Sequence, residues 1–249
     1  MSATKPEILA IVPARGGSKG LPGKNTMKLA GHPLIAYSIK AGLDAVNVTR
    51  VIVSTDSEEI AAVALEYGAE VPFLRPPELA GDRSLDIDFW QHALNWLAEN
   101  EDYRPDYVVQ LRPTSPIRHP NLIDVCIDRV ISTKADSLRV VTPAPATPYK
   151  MWRVNDNATR MEPLLTLDNV EEPFNQLRQT LPVVYWQIGT LDVIRTSLIT
   201  DRGVLSGDHI IPYIVEGDYA VDIDQQEDFE HAQLIIETTE TIRFAETST

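Results

Sequence analysis

Cysteine is nearly missing from this chain. Cys126 stands alone in 249 residues, so no internal disulfide can form and a paired-thiolate metal site has no partner for it. The five histidines are scattered without ligand spacing, which leaves zinc chemistry without a motif. No apolar run approaches the length of a membrane span, and the opening MSATKPE lacks the pattern of a signal peptide. Together with the unpaired cysteine, these absences predict a cytoplasmic protein. Basic residues are in deficit, 22 against 36 acidic ones for a net charge of −14, which argues against nucleic acid as a partner. Internal repeats and the G-x-S-x-G turn of a serine nucleophile are absent too.

What is present is the composition of a globular protein, 43% hydrophobic and 23% charged, long enough for one large α/β domain or two small ones. A chain this acidic can bind an anionic nucleotide only if its cations are gathered locally, with a divalent metal beside them. Residues 8–25, ILAIVPARGGSKGLPGKN, are such a gathering. An apolar strand breaks into four glycines interleaved with Arg15, Lys19 and Lys24. Glycines allow positive φ and close approach of backbone to ligand, while exposed N–H groups and cations face its charge, so the stretch predicts a polyphosphate site. It is neither a P-loop, which would need glycine at Ser18 and Ser or Thr at Asn25, nor a G-x-G-x-x-G. A helix over 33–43 would add its N-terminal dipole to the field.

Beyond the loop, a strand over 50–56 and a helix opening at Ser57 continue a βαβα alternation, which predicts a doubly wound, mostly parallel sheet. Asp56 falls at the carboxyl end of its strand, as a ligand-side group or as a helix cap. A third strand is expected over 70–74, then a proline-rich loop, with Ser84 or Asp86 capping a helix over 87–100. The strand over 106–111 stops abruptly at RPTSPIR and leaves Arg112, Thr114 and Ser115 at its carboxyl end. A helix over 121–132 and a strand over 135–141 follow. Recurrent prolines between 142 and 182 predict an excursion of two or three short strands. The apolar run 182–194 reads as a central strand, with Trp186 in the core or as an apolar wall for a ligand ring. A last strand over 209–215 leads to AVDID and a helix over 226–238.

In AVDID, residues two apart share a face, so Asp222 and Asp224 present paired carboxylates while Val221 and Ile223 turn inward. Paired carboxylates repel unless a cation lies between them, and hard oxygens beside phosphates suit Mg2+. A bare D-x-D serves also as helix capping.

PARGGSKGLPGKN followed by LAGHPLIAYSI resembles the N-terminal signature of the acylneuraminate cytidylyltransferases, the CMP-sialic acid synthetases, and more loosely the sugar nucleotidyltransferases. The resemblance implies a Rossmann-like nucleotidyltransferase domain over 1–249 whose β-rich excursion, at about 142–182, reaches across a dimer partner. It implies a Mg2+-dependent enzyme transferring CMP from CTP to an acidic, nonulosonic sugar. Ala14, Arg15, Gly16, Gly17, Ser18, Lys19, Lys24 and Asn25 would hold the nucleotide, with Arg75 and Asp82 from RPPELAGD. Arg112, Thr114, Ser115, Lys150, Arg178 and Gln187 fall on the sugar side. Arg112 replaces a glutamine common in that family, an added cation favouring a different or more anionic ligand. Trp186, Gln187, Ile188 and Gly189 stand where the family carries Arg-x-Asn-Gly, so the sugar preference is expected to have moved. Two other readings keep part of this: another NTP or a sugar phosphate as substrate, or nucleotide binding without turnover.

Overall fold

The computed structural model describes residues 5–18 and 20–244. It divides into two compact units, residues 141–187 on one side of the division and the flanking segments on the other.

The larger unit is built on a six-stranded sheet. Its strands are β1 (Ile8–Pro13), β4 (Arg50–Ser54), β5 (Tyr107–Gln110), β6 (Ser137–Pro143), β9 (Tyr185–Arg195) and β10 (Ile210–Ile214), in the order β10-β6-β9-β5-β1-β4. β1 pairs in parallel with both β4 and β5, while β9 runs antiparallel to β5. The alternation of a two-sided strand is visible in β1, where Ile8, Ala10 and Val12 enter one core and Leu9 and Ile11 the other. Helices α1 (Leu34–Asp44), α2 (Glu58–Glu66) and α4 (Leu122–Thr133) cover the first face through Ile35, Ile39, Ile60 and Ile127. α3 (Asp86–Glu101) and α5 (Thr196–Thr200) cover the second through Phe89, Trp90, Leu198 and Ile199. The sheet is thus wound on both sides.

A third cluster joins the two ends of the chain. α6 (Gln226–Ile236) sets Phe229, Ala232 and Ile236 against Leu29 and Leu34, with Ile223 fully buried among them. Leu29 belongs to a small antiparallel hairpin, β2 (Lys28–Leu29) and β3 (His32–Pro33), which the sequence pattern did not suggest.

The expected third strand is reduced to one bridge, Ile52 to Glu70. Its hydrogen bonds continue only through Glu70, and Val71 and Pro72 lead into the proline-rich loop. The cap of α3 is at Leu85, with neither Ser84 nor Asp86; Asp88 reaches back to accept from the Leu85 N–H at 2.8 Å.

In the smaller unit, β7 (Trp152–Val154) pairs antiparallel with β8 (Met161–Pro163), with short 3-10 turns at Pro148–Lys150, Pro173–Asn175 and Arg178–Thr180. Trp186 is 55% exposed, so it is not a core residue: the strand that carries it becomes buried only from Ile188 onward. Among the described residues, no helix is long and apolar enough to cross a membrane.

Candidate active site

The carboxyl ends of β1 and β5 open onto a cleft of about 450 Å³. This is the position where an open α/β sheet receives ligands. Arg15, Ser18, Lys24, Asn25, Arg75, Asp82, Arg112, Thr114, Asp222 and Asp224 all line it.

The loop after β1 is held from three sides. Ala14 is buried and donates its N–H to the Ser54 carbonyl at 3.0 Å; the Gly16 N–H donates to Asp56 Oδ1 at 2.9 Å. Asp56 is therefore a tether for the loop, while Ser57 caps α2. Asn25, also buried, donates from Nδ2 to the Arg15 carbonyl at 3.1 Å and closes the loop on itself. Gly23 takes positive φ, 69°, where the short turn Lys24–Thr26 begins. Gly20 serves close approach: a Cβ there would stand 2.5 Å from the backbone oxygen of Asp224. Lys19 lies outside the described residues.

That approach fastens the start of the chain to its end. The Ile223 N–H donates to the Thr114 carbonyl at 2.7 Å, its side chain is buried, and Asp222 and Asp224 flank it exposed. Lys24 Nζ donates to the Ile223 carbonyl at 2.9 Å and to Asp224 Oδ1 at 3.1 Å.

The expectation of a cationic cleft is corrected by its acids. Arg15 pairs with Asp82 at 3.2 Å, Lys24 with Asp224 at 3.1 Å and Arg112 with Asp86 at 2.5 Å. Among the described lining residues, four basic side chains meet four acidic ones. Arg112 is consequently not a free added cation. Arg75 differs: it is 6% exposed, donates to Ser54 Oγ at 3.0 Å and to its carbonyl at 2.5 Å, and stacks over Phe89. Burial draws its pKa down from 12.5 to about 10, against the opposing pull of Asp56 and Asp86. It stays charged at neutral pH.

Behind the cleft lies Arg118, fully buried, which donates to the carbonyls of Arg112 at 2.7 Å and Thr190 at 2.9 Å and to Ser38 Oγ at 3.0 Å. Desolvation lowers its pKa to about 9, and Asp222 is the charge that opposes the shift. It fixes the PTSP turn from below. Ser115 is buried beside Gly189 and is not on the cleft surface.

α1 begins away from the cleft, so its dipole does not face a ligand there; Ser84, Leu85 and Asp86 at the start of α3 line it instead. Asp86 and Gln110 are among the lining residues that sequence reasoning missed. Asp86 looked like a cap, and Gln110 like an ordinary strand residue.

Lys150, Arg178 and Gln187 belong to the smaller unit. Lys150 ends a 3-10 turn and is exposed; Arg178 donates from Nη2 to the Ala144 carbonyl at 2.9 Å; Gln187 is exposed near the start of β9.

Comparison with known proteins bears on this arrangement. The family model for cytidylyltransferase matches residues 9–182. The chain is 40% identical to CMP-N,N'-diacetyllegionaminic acid synthase of Legionella pneumophila over 65% of its own length and 68% of that protein. It is 31% identical to N-acylneuraminate cytidylyltransferase of Escherichia coli over 91% of its length, spanning about half (51%) of that longer protein. Pseudaminic acid cytidylyltransferase of Campylobacter jejuni is 29% identical over 91% of this chain and 95% of its own. Among solved structures, CMP:2-keto-3-deoxy-manno-octonic acid synthetase in complex with CTP shares the fold, with a TM-score of 0.67 at 15% identity, covering 93% of this chain and 98% of that one. With a glycine loop, a cleft at the strand ends and a matching family model over most of the chain, this protein is a nucleotidyltransferase that belongs to the cytidylyltransferase family.

Proposed function

We propose that the enzyme transfers CMP from CTP to the anomeric hydroxyl of an acidic nonulosonic sugar and releases pyrophosphate, in the cytoplasm and as a homodimer. The reading rests first on one observation: Lys24 and Asp224, 200 residues apart, meet at 3.1 Å in a single cleft. Nucleotidyl transfer accumulates negative charge on the nonbridging and leaving oxygens, so positioned cations are what it needs.

Arg15, Lys24 and Arg75 hold the triphosphate, together with Lys19 and the backbone N–H groups around Ser18. Exposed ion pairs such as Arg15 with Asp82 are worth about 1 kcal/mol or less, so a phosphate can take the carboxylate's place. Mg2+ fits the donor set, because two carboxylates plus substrate phosphates suffice for it even though no three acidic or histidine side chains converge among the described residues. Asp222 and Asp224 would hold it, and it would supply charge neutralisation and a lowered pKa for the attacking hydroxyl. With Asp224 engaged in this way, Lys24 would be free to turn its ammonium to phosphate. Arg112 and Thr114 face the acceptor, and family resemblance assigns Lys150, Arg178 and Gln187 to it as well. The exposed Trp152, Leu177, Val183 and Trp186 of the smaller unit support the dimer.

Pyrophosphate release measured with each of four NTPs against a panel of acidic sugars and sugar phosphates tests the proposal; release only with CTP and an acidic sugar is expected. Preference for a sugar phosphate or another NTP, or no release at all, overturns it. Asp224→Asn should lower turnover by a hundredfold or more, about 3 kcal/mol of transition-state stabilisation, with the fold retained by circular dichroism. Lys19→Ala should depress kcat more than it raises the acceptor KM.

A further inference from the structure

The pair of Arg112 and Asp86 is fixed from behind and open toward the cleft. Asp86 Oδ2 accepts from Arg112 Nη2 at 2.5 Å and from Gln110 Nε2 at 3.3 Å. The Gln110 amide cannot turn over, since its Oε1 accepts from Trp90 Nε1 at 2.9 Å and both side chains are buried. Arg112 is equally constrained. Its carbonyl is held by Arg118 and Ser38, and its stem lies on Gly189, where a Cβ would stand 2.7 Å from Arg112 Cδ. The two charged ends nevertheless keep 37% and 38% side-chain exposure and both line the cleft.

A guanidinium paired with a carboxylate at this distance keeps its charge, but the pair as a whole is neutral and attracts a further anion weakly, while the guanidinium's remaining N–H groups can still donate to an uncharged oxygen. We propose that Asp86 is a specificity-determining residue: by neutralising Arg112 it makes this end of the cleft a receptor for an uncharged polar substituent of the acceptor, an amide carbonyl or hydroxyl, and a poor one for a second carboxylate. The inference rests on the proposed function and concerns the same site. It reverses the expectation that Arg112 draws in a more anionic ligand.

The test compares two nine-carbon 2-keto acids that differ only at one nitrogen, acetylated in one and succinylated in the other so as to add a carboxylate. At saturating CTP, the wild type should prefer the acetylated acceptor in kcat/KM by about tenfold, as expected for one uncompensated charge contact. Asp86→Asn, which keeps the shape and frees the cation, should erase or reverse that preference, and Asp86→Asn combined with Arg112→Gln should restore it. An acceptor ratio unchanged within about twofold in Asp86→Asn, or a parallel change in the CTP KM, overturns the proposal while leaving the function standing. Absence of pyrophosphate release by the wild type with CTP and either sugar counts against the functional reading, and against this inference with it.

Discussion

At the residue scale, glycine in the loop does two different jobs, and the difference is measurable. Gly20 faces the Asp224 backbone so closely that a methyl group would sit 2.5 Å from its oxygen, whereas a Cβ on Gly17 meets nothing within 4 Å. Gly20→Ala forces apart the two segments that carry Lys24 and Asp224, an overpacking cost of about 1–3 kcal/mol. Thermal unfolding should therefore fall by several degrees in Gly20→Ala and stay within a degree or so in Gly17→Ala. An equal loss in both would mean that the loop is not seated against Asp224 as described. Arg75 and Arg118 show the other residue-scale theme. Both arginines are buried with pKa values pulled down by desolvation, and each is satisfied by backbone carbonyls and hydroxyls rather than by a carboxylate. Because the folded pKa lies below the ordinary one, neither stabilises the fold through its charge. Both remain protonated at pH 7, as the hold of Arg118 on the PTSP turn and the proposed contact of Arg75 with phosphate require.

At the scale of elements, the start of α3 ties fold to site. Asp88 satisfies the Leu85 N–H, an orphan donor of the first turn, and Ser84, Leu85 and Asp86 beside it form cleft wall. Asp88→Ala should cost about 1 kcal/mol, a fall of roughly 2–4 °C in Tm by calorimetry, and should also raise the KM for CTP. A lowered Tm with unchanged KM would separate the cap from the cleft. Most elements were legible because their apolar periods are clear: α1 and α4 fall within a residue of their expected limits, and the apolar start of the 8–25 stretch is a strand. The strand expected at Glu70 was not, because one bridge satisfies its backbone before the prolines intervene. Trp186 misled through composition, since an apolar run does not reveal where burial begins.

At the scale of the molecule, the smaller unit leaves and re-enters the chain between neighbouring points: the Ala144 N–H donates to the Val184 carbonyl at 2.9 Å. Replacing residues 145–183 by a short glycine-rich turn should leave the larger unit cooperatively folded, with CTP raising its Tm, and should convert the proposed homodimer to a monomer on size-exclusion chromatography. Loss of the cooperative transition would show that the larger unit depends on the smaller for its fold.

Sequence alone determined the winding of the sheet, the glycine loop and the facing of Asp222 and Asp224, because each is written in local spacing: period two, period 3.6, or cations set between glycines. It did not determine the charge of the cleft. Which acid neutralises which base depends on segments 67, 26 and 200 residues apart in the pairs Arg15 with Asp82, Arg112 with Asp86 and Lys24 with Asp224. Only the tertiary structure brings those partners within reach, since hydrogen bonding acts over a few ångströms of space without regard to distance along the chain.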